Sequence, residues 1–171
     1  MKKEILEQII HEIKSVKIAV LGDFCLDAYW FIDDSKSEVS IETGQLTRPV
    51  KQQRYSLGGA GNVTNNISAM GVLDVRAFGV MGPDPFGNEM VKVMKQNGIN
   101  PKNLLVQENE WSTYVYAKPY IGDNEQNRID FENFNILSKQ TAEKPINNIV
   151  SEIPEVDIII INKQVLSGIH T

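Results

Sequence analysis

Cysteine and histidine are nearly missing from this chain: Cys25 is the single cysteine, and the two histidines, His11 and His170, lie near opposite ends. One cysteine excludes an intrachain disulfide and a metal site built on several thiolates. Two distant histidines without a third patterned ligand give zinc little support, and surface histidines are the simpler reading. An excess of basic residues is missing too. The 17 lysines and arginines are scattered and face 22 acidic residues, for a net charge of −5. With no basic stripe to neutralise phosphates, nucleic acid is not an expected partner. No apolar run approaches the length that spans a bilayer, so no membrane partner is expected either.

The N-terminal stretch "MKKEILEQIIHEIKSVK" lacks the character of a signal peptide. Its Ile5, Ile9, Ile10 and Ile13 fall at helical spacing among Glu4, Glu7 and Glu12, the pattern of an amphipathic helix. Asn62-Val63-Thr64 and Asn66-Ile67-Ser68 match the glycosylation pattern but read as chance matches inside a helix. The cytoplasm is the expected compartment.

What is present is enough for one domain with a core: 171 residues, 42% of them hydrophobic. "VKIAVLGD", Val16 to Asp23, is a continuous apolar run ending in Gly-Asp, the pattern of a buried parallel strand. "VRAFGVMG" and "VDIIIIN" read as second and third buried strands, and "NLLVQ" as a short one. Helices are predicted over 60–70, from Pro85 to a C-terminal cap at Gly98, and over 139–152. Two half-exposed strand pairs do not fit the alternation of strand and helix. "AYWFID" with "VKQQRYSL", and "TYVYAKPYI" with "NRIDFEN" across the turn "GDNEQ", predict a small separate antiparallel sheet. The rest predicts an open α/β sheet of parallel strands, whose ligands bind beyond the carboxyl ends. Gly22-Asp23, Gly82-Pro83-Asp84, Asn162-Lys163 and the glycine turn "LGGAGN" are all predicted to reach that edge.

Several nucleotide signatures are absent. The glycines do not follow the first strand in G-x-G-x-x-G spacing, no G-x-x-x-x-G-K-[ST] occurs, and Gly-x-Ser-x-Gly is missing. The combination that fits is "LGDFCLD", then "SLGGAGNVTNNISAMG" after an antiparallel excursion, then "GVMGPDPFG". It resembles the N-terminal half of the ribokinase-like, or PfkB, family of carbohydrate kinases over nearly the whole chain. The form "GDxxLDxYW", Gly22 to Trp30, and the segment "QNRIDFE", Gln126 to Glu132, are similar to the heptose-phosphate kinase branch. The stretch between Gly71 and Gly82 is a residue longer than the family signature.

The resemblance implies a single, incomplete ribokinase-like domain over 1–171: a mostly parallel sheet flanked by helices, with an antiparallel β lid. The lid is expected over approximately 28–57 and 112–134, with a homodimer forming through it, and the C-terminal half is absent. It implies that Asp27 accepts hydrogen bonds from sugar hydroxyls, which a carboxylate does without donating. Gly58 and Gly59 then let the sugar approach bare backbone, and Asn62 both donates to it and accepts from it. Each has a plainer alternative: turn or cap residues for Asp23 and Asp27, a tight turn for the glycines, a helix N-cap for Asn62. Arg128, Asp130 and Glu132 alternate, so they share a strand face. That face either meets a phosphate through Arg128 or is a solvated lid surface. Trp30, Phe31 and Tyr55 read as lid packing.

ATP and Mg²⁺ are expected for the full-length enzyme, and neither is expected to bind this chain well. The family's late "GAGD" motif, whose aspartate is the catalytic base, does not occur; "GAGN", Gly59 to Asn62, carries an amide that cannot take a proton. The resemblance therefore implies no catalytic residue up to Thr171, with the base expected beyond it. The chain alone is expected to be an inactive, sugar-binding portion of a kinase acting on a sugar or sugar phosphate, heptose phosphate first. A fructokinase or nucleoside kinase of the same fold, or a non-catalytic sugar-binding or dimerisation module, are the alternatives.

Overall fold

A computed structural model describes residues 2–131 and 134–169. Glu132, His170 and Thr171, named above on sequence grounds, lie outside the described residues. The chain opens with helix α1 (Lys3–Glu12), none of whose residues is buried, and enters strand β1 (Lys17–Gly22). After Asp23 alone, β2 (Phe24–Ile32) begins, and β3 (Val50–Gly59) returns to run directly into α2 (Ala60–Ala69). Then come β4 (Asp74–Met81), α3 (Pro85–Gln96), β5 (Ile99–Val106) and β6 (Tyr114–Ile121). The two-residue strands β7 (Asn124–Glu125) and β8 (Ile129–Asp130), α4 (Lys139–Glu152) and β9 (Ile158–Asn162) complete it.

Two sheets result. The main one has the order β5-β4-β1-β9 with every pair parallel. The small one has the order β3-β2-β6-β7, with β8 also on β6. The expected antiparallel pairs, β2–β3 and β6–β8, are present, and a parallel pairing of β2 with β6 joins them into one mixed sheet. The core lies between them. Val20 of β1, Phe24, Leu26 and Ala28 of β2, Ile67 of α2, Met90 and Met94 of α3 and Val115 of β6 all belong to it.

Local chemistry accounts for the helix ends. Asp84 caps α3, its Oδ1 accepting the Gly87 N–H at 2.9 Å, and Pro85 occupies the first turn, where no N–H is needed. Gly98 follows α3 at φ +72°, the left-handed stop that glycine adopts without strain. Ser138 caps α4 through the Thr141 N–H. The sequence of α2 is poor in helix formers, so its stability comes from burying Ala60, Gly61, Thr64 and Ile67 along one stripe.

The run "IIIIN" reads as an apolar strand expected at the edge of the main sheet, and β9 lies there, with Ile158, Ile159 and Ile161 exposed. Apolar composition reports the faces a strand is suited to cover, not whether a neighbour lies beside it.

A partly buried charge network ties α4 to β4. Arg76 bridges Asp74 at 2.7 Å and also contacts Glu152. The hydrogen bond from Arg76 holds the Asp74 carboxyl below its ordinary value of 3.8, against a smaller upward pull from burial. A depressed carboxylate contributes stability above its unfolded value, and that stability is lost as pH falls through the native one. Asp74→Asn is therefore expected to cost about 1 kcal/mol at neutral pH. In urea unfolding, the gap between variant and wild type should close well below pH 3.8. A gap that stays constant into strong acid would contradict this role for the pair.

Candidate functional site

The site is assembled where β2 leaves the main sheet. Alternation sends Cys25, Asp27, Tyr29 and Phe31 to one face of the small sheet. Across β3, Cys25 stands opposite Gly58 and Asp27 opposite Ser56; across β6, Asp27 pairs with Tyr116 and Tyr29 with Lys118. The result is a half-buried carboxylate beside bare backbone. A Cβ on Gly58 would stand 3.2 Å from Asp27 Oδ2. Lys118 Nζ donates to the other oxygen, Oδ1, at 2.7 Å. Burial pulls the Lys118 ammonium down, but the hydrogen bond and charge of Asp27 outweigh it, and the net displacement is upward.

Two guanidinium groups flank this pair on aromatic faces. Arg54 lies 4.5 Å from the centroid of Tyr29, and Arg128 lies 4.4 Å from that of Tyr116. Arg128 also pairs with Asp130, its Nε and Nη2 donating at 2.6 and 2.7 Å. A carboxylate that can grip hydroxyls thus shares its sheet face with three cations, an arrangement suited to a ligand bearing both hydroxyls and negative charge.

Gly59 turns β3 into α2 at φ +56° and ψ −131°, a conformation reserved for glycine. A Cβ there would lie 2.4 Å from the Asp23 carbonyl oxygen and 3.0 Å from Cys25 Sγ. The Asp23 carbonyl accepts the Ala60 N–H at 2.9 Å, which anchors the start of the helix. Gly59 itself is the N-cap of α2, so the cap reading of Asn62 does not hold; Asn62 is exposed on the first turn.

Of the sequence-predicted residues, Asp27 and Gly58 are in contact. Gly59 follows at the turn, and Arg128 stacks on the ring paired with Asp27. Asn62 makes no hydrogen bond to Asp27 among the described residues. Three of the four predicted edge segments meet: Gly22 and Asn162 touch, and both adjoin the glycine turn. The fourth is engaged elsewhere, since Asp84 caps α3 and its Oδ2 accepts the Thr113 N–H at 2.8 Å.

A cavity of about 640 Å³ opens on the opposite face of the small sheet, lined by Trp30, Ile32, Val50, Pro119 and Ile129 among others. Its lining also includes Arg48 and Glu125 but neither the glycine turn nor Asp27.

Residues 16–170 match the pfkB family carbohydrate kinases. The chain belongs to that family. Among similar pfkB-type sequences is a "Bifunctional protein HldE" of Desulfatibacillum aliphaticivorans, 32% identical over 85% of this chain and 29% of the relative. Another is the "D-beta-D-heptose 7-phosphate kinase" of Bordetella bronchiseptica, 30% identical over 70% of this chain and 37% of the relative. The chain thus spans about a third of the length of these curated relatives. The fold is ribokinase-like. A carbohydrate kinase from Agrobacterium tumefaciens superposes with a TM-score of 0.58 at 18% identity, over 85% of this chain and 45% of that one. A ribokinase from Cryptococcus neoformans, in complex with ADP, gives 0.52 at 13% identity, over 85% and 49%.

Sequence reasoning missed Lys118 and Arg54 in this pfkB chain. Each alternates correctly on its own strand, but only the register across three strands brings Lys118 to Asp27 and Arg54 to Tyr29, and no local signal encodes that register.

Proposed function

We propose that this chain is the sugar-binding portion of an ATP-dependent carbohydrate kinase that phosphorylates a hydroxyl of a sugar phosphate. A heptose 7-phosphate is the first candidate. One observation carries the reading: the Asp27 carboxylate lies against bare Gly58 and pairs with Lys118, on a sheet face that also carries Arg54 and Arg128. The carboxylate orients hydroxyls, and the cations suit a phosphate already on the sugar. The heptose kinase relative supports the same class.

In the whole reaction the sugar hydroxyl oxygen bonds to the γ-phosphorus of ATP, the β–γ bridge breaks, and ADP departs. The hydroxyl proton must pass to a base. In this chain Asp27 has its Oδ1 engaged by Lys118, and the "GAGN" turn carries Asn62 where an amide cannot take that proton. Among the described residues no three His, Cys, Asp or Glu side chains gather to hold a metal ion, and Mg²⁺ would be held largely by the phosphates of ATP. Phosphoryl transfer rests on positioning and electrostatics around the phosphates. The chain by itself is therefore assigned binding without turnover.

Calorimetry with D-β-D-heptose 7-phosphate, fructose, ribose and adenosine tests this. The heptose phosphate is expected to bind at least about tenfold more tightly than the uncharged sugars, with affinity falling as salt rises. A preference for adenosine or fructose would overturn the substrate class. ATP consumption by the chain alone would overturn its assignment as binding without turnover.

A further inference from the structure

Asp23 is fully buried at the one residue between β1 and β2, and the sugar contacts assigned above make no use of its carboxylate. Its Oδ2 accepts the N–H groups of Gln164 and Val165 at 2.9 and 3.2 Å, and Oδ1 accepts that of Ile169 at 2.9 Å. All three donors lie in the segment that follows β9. Gly168 permits this wrapping, because a Cβ there would stand 2.4 Å from Oδ1 and 2.5 Å from Oδ2. Val165 packs with Cys25, Val80, Trp111 and Tyr114, and Tyr114 Oη donates to the Ser167 carbonyl at 2.8 Å. Through its carbonyl the same aspartate also holds the N-terminus of α2. One buried residue therefore joins the end of the central strand, the glycine turn and the segment 163–169.

That segment is delivered to the glycine turn. The position a Cβ on Gly59 would take is 3.5 Å from Gln164 Cγ, and Gln164 is exposed. Its Cγ stands beside the bare backbone, and the amide it carries has a donor and an acceptor to offer, which is the chemistry a sugar hydroxyl matches. We propose that Gln164 contacts the sugar and helps determine specificity, and that Asp23 is the positioning residue that holds it there. The proposal rests on the sugar-kinase reading above. In Asp23→Asn one acceptor oxygen becomes an NH₂ group that faces backbone donors, so the clamp loses bonds without losing volume.

Hydrogen exchange on the unliganded chain and titration with D-β-D-heptose 7-phosphate test the two roles separately. Asp23→Asn should raise exchange at Gln164, Val165 and Ile169 at least about tenfold while β4 amides keep their protection. Retained protection in the segment would overturn the positioning role. Gln164→Ala should weaken binding about tenfold at unchanged Tm; equal affinity would remove Gln164 from the site. The double variant should bind no more weakly than Asp23→Asn alone, because Asp23 acts through Gln164; additive losses would refute that link. If Asp23→Asn does not fold, Gly168→Ala displaces the same segment and should reproduce both effects. A wild-type chain that binds none of the sugars overturns the kinase reading and the Gln164 contact, whereas the exchange result still decides the role of Asp23.

Discussion

Gly59→Ala is expected to unfold a large fraction of the protein. The backbone at φ +56° and ψ −131° costs a side-chain-bearing residue about 1–3 kcal/mol by itself. The added Cβ would also meet the Asp23 carbonyl oxygen at 2.4 Å, a backbone atom fixed by β1 and by its bond to Ala60. Relief requires moving either the central strand or the start of α2. Together these effects should cost about 3–5 kcal/mol, a large share of the 5–15 kcal/mol typical of a folded domain. Gly122→Ala supplies the control. Its φ of +58° is similar, but a Cβ there meets nothing within 4 Å, so about 1–2 kcal/mol is expected. Urea midpoints for the two variants separate the clash from the dihedral cost. Equal losses would mean that the turn does not press on Asp23.

Asp27→Ala is expected to weaken binding of D-β-D-heptose 7-phosphate about a hundredfold or more. Two hydroxyl hydrogen bonds to a carboxylate are worth at least about 3 kcal/mol together, and each 1.4 kcal/mol is a factor of ten. The same change strips Lys118 of its carboxylate partner and leaves only Tyr29 to offset the burial of the ammonium, at a cost in stability of about 1–2 kcal/mol. The two consequences can be separated. Asp27→Ala with Lys118→Met should recover most of the stability and none of the affinity. Recovery of affinity as well would show that Asp27 serves only to neutralise Lys118.

Much of the fold was legible because its signals are local. The Asp84-Pro85 start and Gly98 stop of α3, the Gly-Asp end of β1 and the turn at Gly122 each depend on neighbours in sequence. The contact of Asp27 with Gly58 was legible through the resemblance, since composition alone left a cap and a tight turn open. Non-local partners were not legible. Lys118 reaches Asp27 and Arg54 reaches Tyr29 only through strand register, and Asp23 finds its three amide donors about 140 residues away. The run of β9 by itself encodes only an apolar strand; its place at the sheet edge was legible through the resemblance.

Nitrogen-15 NMR of the labelled chain, titrated with D-β-D-heptose 7-phosphate, tests the shared sugar pocket most directly. Saturable shifts should concentrate at the amides of Asp27, Gly58, Gly59 and Lys118, leaving Trp30, Val50 and Ile129 on the opposite face unmoved. Shifts centred on that opposite face, with the glycine turn silent, would contradict the account.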